Sequence, residues 1–167
     1  GGGAALRPDF IRLYPVLVLR GTKLCRWYEE GAYRPLTVEE AAFRCAFLKR
    51  YYTARGIPVI RTGLQATEEL DRGGALAAGP YHPAMGELAD QRIVQHVLRR
   101  ALQRADRPAG LFCCGKDRSK IMGQHRTVWS ALEKEFGPLF CRETDSLAPG
   151  NVRIDSGETG RLIRLGV

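Results

Sequence analysis

The sequence predicts an α/β protein, on three observations. Residues Ile11 to Leu19 form a run that is mostly apolar. A strand apolar on both faces is usually buried in a parallel sheet covered by helices. A shorter run of the same plan follows, Val59-Ile60-Arg61-Thr62-Gly63-Leu64-Gln65. Between the two lies a segment with clear helix start and stop signals. Strand, helix, strand in that order reads as a βαβ crossover, right-handed where the strands are parallel.

The first strand runs into Arg20-Gly21-Thr22-Lys23, a polar loop at the edge where such sheets carry function. Leu24 to Glu30 reads as a short helix closed by Gly31. Thr37 and Glu40 then form a capping box, each satisfying a free amide at a helix start. Ala41, Cys45, Leu48 and Tyr52 recur at helical spacing and predict one buried stripe. Gly56 ends this helix, and Pro58 prevents its return. The second strand, Pro58 to Leu64, leads to a helical turn near Glu68 and then Gly73-Gly74. Ala75 to Pro80 is small and apolar. Gly79-Pro80-Tyr81-His82-Pro83 is a constrained loop, because two prolines fix φ and remove two amide donors. A long helix is predicted from about Met85 to Ala105, a strand over Gly110–Cys114 and a helix over His125–Phe136. Strands near Leu139–Arg142, Val152–Ile154 and Leu162–Leu165 complete a small α+β unit, with a turn at Pro149-Gly150-Asn151. A boundary near Asp106–Pro108 gives two regions, 1–105 and 106–167.

The chain of 167 residues is long enough to bury a real core. No apolar run reaches the length needed to cross a bilayer. The opening Gly1-Gly2-Gly3-Ala4-Ala5 is neither an initiator Met nor a signal peptide, and reads as a tag scar or the cut end of a longer protein. The net charge is +8. Residues 1–96 carry 13 basic and 10 acidic side chains, and residues 97–167 carry 13 and 8. The more basic second half suits an anionic partner such as RNA, or simply reflects an Arg-rich surface. Five cysteines, Cys25, Cys45, Cys113, Cys114 and Cys141, are irregularly spaced without a CxxC pair. That pattern argues against a zinc ribbon and for a reducing, cytoplasmic setting. Cys45 and Cys113 sit in apolar patterns and read as core residues.

Residues Gly110 to Asp117 nearly spell a phosphate-binding G-x-x-x-x-G-K-[ST] loop. Asp117 replaces the hydroxyl that binds magnesium, and the intervening residues are strand-like, so nucleotide hydrolysis is rejected. Lys116, Arg118 and Lys120 read instead as a solvated or RNA-facing turn, and with Arg126 they form the nucleic-acid candidates. His82 is either a general acid or base or a loop histidine fixed by a backbone hydrogen bond. No nucleophile or acid at fixed spacing accompanies it, which favours the second. His96 and His125 lack partners at metal-binding spacing. The Glu39-Glu40 pair is explained by the helix start. The loops at Gly21-Thr22-Lys23 and Gly63-Leu64-Gln65 are the better site candidates, because glycine lets backbone approach a ligand closely. Ordinary β-to-α turns are the alternative.

Four segments carry a family resemblance. They are PDFIRLYPVLVLRGTKL (8–24), YRPLTVEEA (33–41), IPVIRTGLQATEEL (57–70) and AGPYHPAMGELADQRI (78–93). In this order they resemble the later part of radical S-adenosylmethionine (SAM) proteins. The branch they look most like is the Elongator catalytic-subunit-like group, also labelled oxygen-independent coproporphyrinogen oxidase-like. The tail, SKIMGQHR (119–126) and RLIRL (161–165), is more loosely similar to that group's small C-terminal domain.

The resemblance implies the late strands of a partial (β/α)6 barrel, followed by a small α+β domain. It implies that Arg20, Gly21, Thr22, Gly63, Leu64 and Gln65 face the adenosine part of the cofactor. It implies S-adenosylmethionine and a [4Fe–4S] cluster in the full-length parent, radical chemistry, and in the Elongator relatives a tRNA substrate. Such a cluster takes three thiolates from a CxxxCxxC-type loop. That spacing is not in this sequence. The chain is therefore expected to be the C-terminal half of such an enzyme, partnered by an N-terminal barrel half and inactive alone. The alternative is a basic RNA- or protein-binding module without catalysis. A half-barrel exposes a sheet edge, which invites pairing and hence a homodimer.

Overall fold

The computed structural model describes residues 6–65, 74–105, 110–156 and 159–167, the side chains of Ser156 and Thr159 apart. The predicted turn near Glu68, Gly73, the boundary at Asp106–Pro108 and the opening glycines lie outside these residues. The chain forms two compact units, 1–89 and 90–167.

In the first unit, β1 (Ile11–Leu13) pairs in parallel with β3 (Val59–Thr62). The predicted βαβ order is thus present, with α2 (Val38–Thr53) between the strands. The single strand predicted over Ile11–Leu19 is in fact two. Pro15 has no N–H to give to a ladder and restricts the residue before it, so pairing stops after Leu13. The chain resumes as β2 (Val18–Leu19), which pairs antiparallel with β4 (Leu76–Ala78) inside the stretch read only as small and apolar. Burial on both faces is not observed in this unit: Phe10, Tyr14, Val16 and Leu19 are exposed.

Helix α1 (Lys23–Glu29) starts at Thr22, whose hydroxyl accepts a hydrogen bond from Cys25 N, and stops before Gly31, where φ is +74°. Helix α2 has the predicted capping box between Thr37 and Glu40. Its buried face is Ala41, Ala42, Cys45 and Ala46. Leu48, predicted buried, is exposed. Small residues let this face approach its neighbours closely, and the large ones turn outward: Phe43 and Phe47 are exposed, and Phe47 stacks on Tyr51 at 6.5 Å.

Helix α3 (Met85–Leu102) runs across the division between the units. The second unit holds a four-stranded mixed sheet in the order β6-β5-β7-β8, formed by Cys141–Glu143, Gly110–Cys113, Asn151–Ser156 and Thr159–Arg164. Strand side chains alternate between faces. One face, Leu111, Cys113, Val152 and Ile154, is buried against Leu98 and Leu102 of α3, Ile121 of α4 (Gly115–Met122) and Trp129 and Leu132 of α5 (Thr127–Phe136). The other face carries Phe112, paired in register with Arg142 on one side and Arg153 on the other, and Arg153 is opposite Leu162. The segment Gly115–Met122, read as a turn, is a helix. Its buried stripe reduces to Asp117 and Ile121, four residues apart, too little for periodicity to reveal.

Candidate functional site

At the C-terminal ends of β1 and β3 lies a shallow hollow open to solvent. It is lined by Pro15 and Leu17, by Gly63 and Leu64 after β3, and by Pro80, Tyr81, His82 and Met85. The amide of Gly63 donates to Leu13 O at 2.8 Å, which extends the parallel ladder by one step. Gly63 has φ +83°, and a Cβ there would stand 2.6 Å from Met85 Cβ. No other residue type fits this turn without displacing the helix start.

The Gly-Pro-Tyr-His-Pro loop is the polar wall of the hollow. Ala84 N donates to His82 Nδ1 at 3.1 Å, and His82 O accepts from Met85 N at 3.2 Å. Since Nδ1 is the acceptor, the neutral imidazole carries its proton on Nε2. The imidazole is thus held in place at the edge of a largely apolar lining.

Of the six residues carried from the resemblance, the structure brings Gly63 and Leu64 to the hollow. Gln65 accepts from Arg61 Nη1 at 3.3 Å. Arg20, Gly21 and Thr22 lie elsewhere in the unit: Arg20 N donates to Ala75 O, and Thr22 caps α1. Pro15, Leu17, Tyr81 and Met85 were not picked out from sequence. The doubled proline in the loop was the available signal, since it marks a rigid wall.

The four basic candidates are placed on α4 and at the start of α5. Lys116 is exposed. Arg118 pairs with Glu143 at 3.4 Å and also donates to Cys141 O. Lys120 pairs with the buried carboxylate of Asp117 at 3.4 Å, and Arg126 with Glu133 at 3.7 Å. Three of the four are thus neutralised by the chain's own carboxylates.

The five thiols are free. Cys25 donates to Glu29 Oε1 at 3.4 Å, and burial, then that carboxylate, push its thiol up. Cys45 is buried on α2, and burial raises its thiol too. Cys113 and Cys141 approach to 3.7 Å. Burial, then the neighbouring Cys141, push Cys113 up to about 12. Cys114 donates to Asp117 Oδ2 at 3.2 Å. Among the described residues no three His, Cys, Asp or Glu side chains are grouped to hold a metal ion. A cluster needs three accessible thiolates, and these thiols do not fit one. No helix among the described residues is long and apolar enough to cross a membrane.

The sequence profile of the Radical SAM C-terminal domain matches residues 8–95. That is more than half of the chain and includes every residue of the hollow. Neither the curated proteins nor the solved structures contain a match.

Proposed function

Because the chain belongs to the Radical SAM C-terminal domain family, we propose that its first unit forms late strands of a radical SAM barrel in the Elongator catalytic-subunit-like branch. Membership implies S-adenosylmethionine and a [4Fe–4S] cluster in the whole enzyme. The thiols of this chain do not supply the cluster's ligands, so no step through it is assigned to these residues. The chain's part is the cofactor's nucleoside side. The observation that carries this is the hollow at the C-terminal ends of the parallel pair β1–β3, lined by Gly63, Leu64 and His82, whose Nδ1 accepts from Ala84 N.

Each residue then has a physical role. Gly63 permits backbone to approach the ligand closely. Leu64 and Leu17 give apolar contact. His82 donates one hydrogen bond to an oxygen or nitrogen acceptor and fixes the ligand's orientation. The bound cofactor would supply the radical chemistry, on a substrate that the Elongator-like resemblance makes a tRNA. The partner we propose is a barrel segment bearing the cluster, seated against the exposed apolar residues of the first unit.

Amide chemical-shift mapping with S-adenosylmethionine tests the site. Shifts centred on Gly63, Leu64, Tyr81 and His82, diminished in His82→Ala, are the expected result. Shifts confined to other parts of the chain sink the assignment.

A further inference from the structure

The open face of the second unit's sheet is built from alternating aromatic and basic side chains. Phe140 lies across Gly110: a Cβ on that glycine would stand 2.3 Å from the Phe140 ring. The Phe140 ring meets Phe112 edge-on at 5.9 Å. The Arg153 guanidinium lies over Phe112 at 4.5 Å, and that of Arg142 over Phe140 at 5.4 Å. Leu162, opposite Arg153, is 61% exposed, and Phe140 is 42% exposed. Arg164, two residues beyond Leu162, shares this face. None of these residues falls within the family match.

We propose that this face binds single-stranded RNA. Large exposed apolar groups on a soluble surface mark interaction sites. Here three arginines, Arg142, Arg153 and Arg164, surround the aromatic pair, with Asp155 the one carboxylate on the described face. The complementary partner is a polyanion that carries flat apolar rings. Single-stranded nucleic acid has that chemistry, because unstacked bases lie on aromatic rings and guanidinium planes while phosphates meet the cations. A duplex hides its bases and does not match a flat platform.

Asp155 directs the choice to RNA. Its carboxylate accepts from Arg153 Nε at 2.9 Å and Nη2 at 3.4 Å, in space that Gly160 leaves open by lacking a Cβ. A carboxylate accepts about four hydrogen bonds, so acceptor capacity remains. It repels phosphate but accepts from a ribose 2′-hydroxyl, the group DNA lacks. The proposal shares the RNA class of the substrate proposed above but uses none of its residues.

The test is fluorescence anisotropy of the full chain with a labelled oligouridine of about 12 nucleotides, within the roughly 4–16 that such surfaces span. Oligodeoxyuridine of equal length is the second probe. Neither cluster nor S-adenosylmethionine is present, so failure here leaves the barrel reading intact. The expected result is salt-sensitive RNA binding that Phe140→Ala weakens about 10-fold. Arg142→Ala, at an exposed position, lowers the slope of log K against log salt by about 0.7. Lys116→Ala, on the helical side, changes neither. Absence of binding at low salt, or equal affinity of Phe140→Ala and the parent, overturns the proposal. Equal affinity for the deoxy probe overturns the assignment to RNA.

Discussion

The two units treat their large apolar side chains in opposite ways. In the second unit, helices and one sheet face enclose thirteen apolar residues, from Val94 and Leu98 through Trp129 to Leu165. Among the described residues only Phe140 and Leu162 of that unit are large, apolar and exposed. Among its described residues the first unit exposes twelve, among them Phe10, Val16, Trp27, Phe43, Phe47 and Ile60. Its sheets have two strands each, and such pairs are marginal without further strands or covering helices. The second unit has the anatomy of a self-sufficient fold. The first exposes the apolar surface that the proposed barrel partner would cover.

The contrast is sharpest under matched aromatic deletions. Trp129 is 2% exposed, and Trp129→Ala is expected to cost about 3–5 kcal/mol through lost burial and a cavity. Phe47 is 64% exposed, and Phe47→Ala is expected to change the chain's own stability by less than about 0.5 kcal/mol. Urea unfolding of the two variants measures both. A large cost for Phe47→Ala would break the contrast, because that ring would then already be covered.

Asp117 gives the next effect. It is 1% exposed, and accepts from Gly150 N, Cys114 Sγ and Lys120 Nζ. It ties the start of α4 to the turn before β7. Asp117→Ala is expected to cost about 1–3 kcal/mol, since it strands the Gly150 amide. The same melts measure it. A neutral result would mean that water replaces the carboxylate there.

Asp117 also shows what was and was not legible. The βαβ order, the capping box and the helix it starts were readable because each depends on local signals: two apolar runs, a Thr-x-x-Glu, a 3.6 period. Cys45 and Cys113 were readable as core for the same reason. Asp117 was seen only as the residue that spoils a phosphate loop, because its partner Gly150 is 33 residues away. The platform of Phe112, Phe140, Arg142 and Arg153 was hidden likewise. Its members come from three strands, and only register places them together. Leu48 misled because Ala42 and Ala46 are as periodic as the larger residues, and close packing selected them. The hollow was half legible: Gly63 and Leu64 follow a readable strand, while His82 reaches them through a fold that no spacing encodes.

Gly63 sharpens the comparison from the first unit's side. Its φ of +83° and its contact with Met85 make Gly63→Ala strained on two counts. About 1–3 kcal/mol is expected from the backbone conformation alone. The variant should also lose the shifts at His82 on cofactor addition, since Met85 follows the loop that holds the imidazole. Gly56→Ala is the control, with φ +73° and no neighbour within 4 Å of a Cβ. It shares the backbone strain without the clash. Equal losses for the two variants would show that the contact with Met85 adds nothing.

The smallest effect lies in the capping box of α2. Thr37 Oγ1 accepts from Glu40 N at 3.1 Å, and Glu40 Oε2 accepts from Thr37 N at 2.8 Å. Thr37→Ala is expected to cost about 1 kcal/mol. The Thr37 amide first, and then the Arg34 guanidinium, hold the Glu40 carboxyl below the ordinary carboxylate range. A carboxyl lowered on folding means that the unfolded chain binds the proton more tightly. Its contribution is therefore full above the unfolded value and is lost as pH falls through the folded one. Glu40→Gln should lower stability at neutral pH, where the ionised carboxyl contributes, and converge on the parent in acid, which flattens the acid limb of the stability curve. Thr37→Ala should lower the curve at every pH. If both variants gave the same acid limb as the parent, the box would be a geometric cap with no electrostatic share.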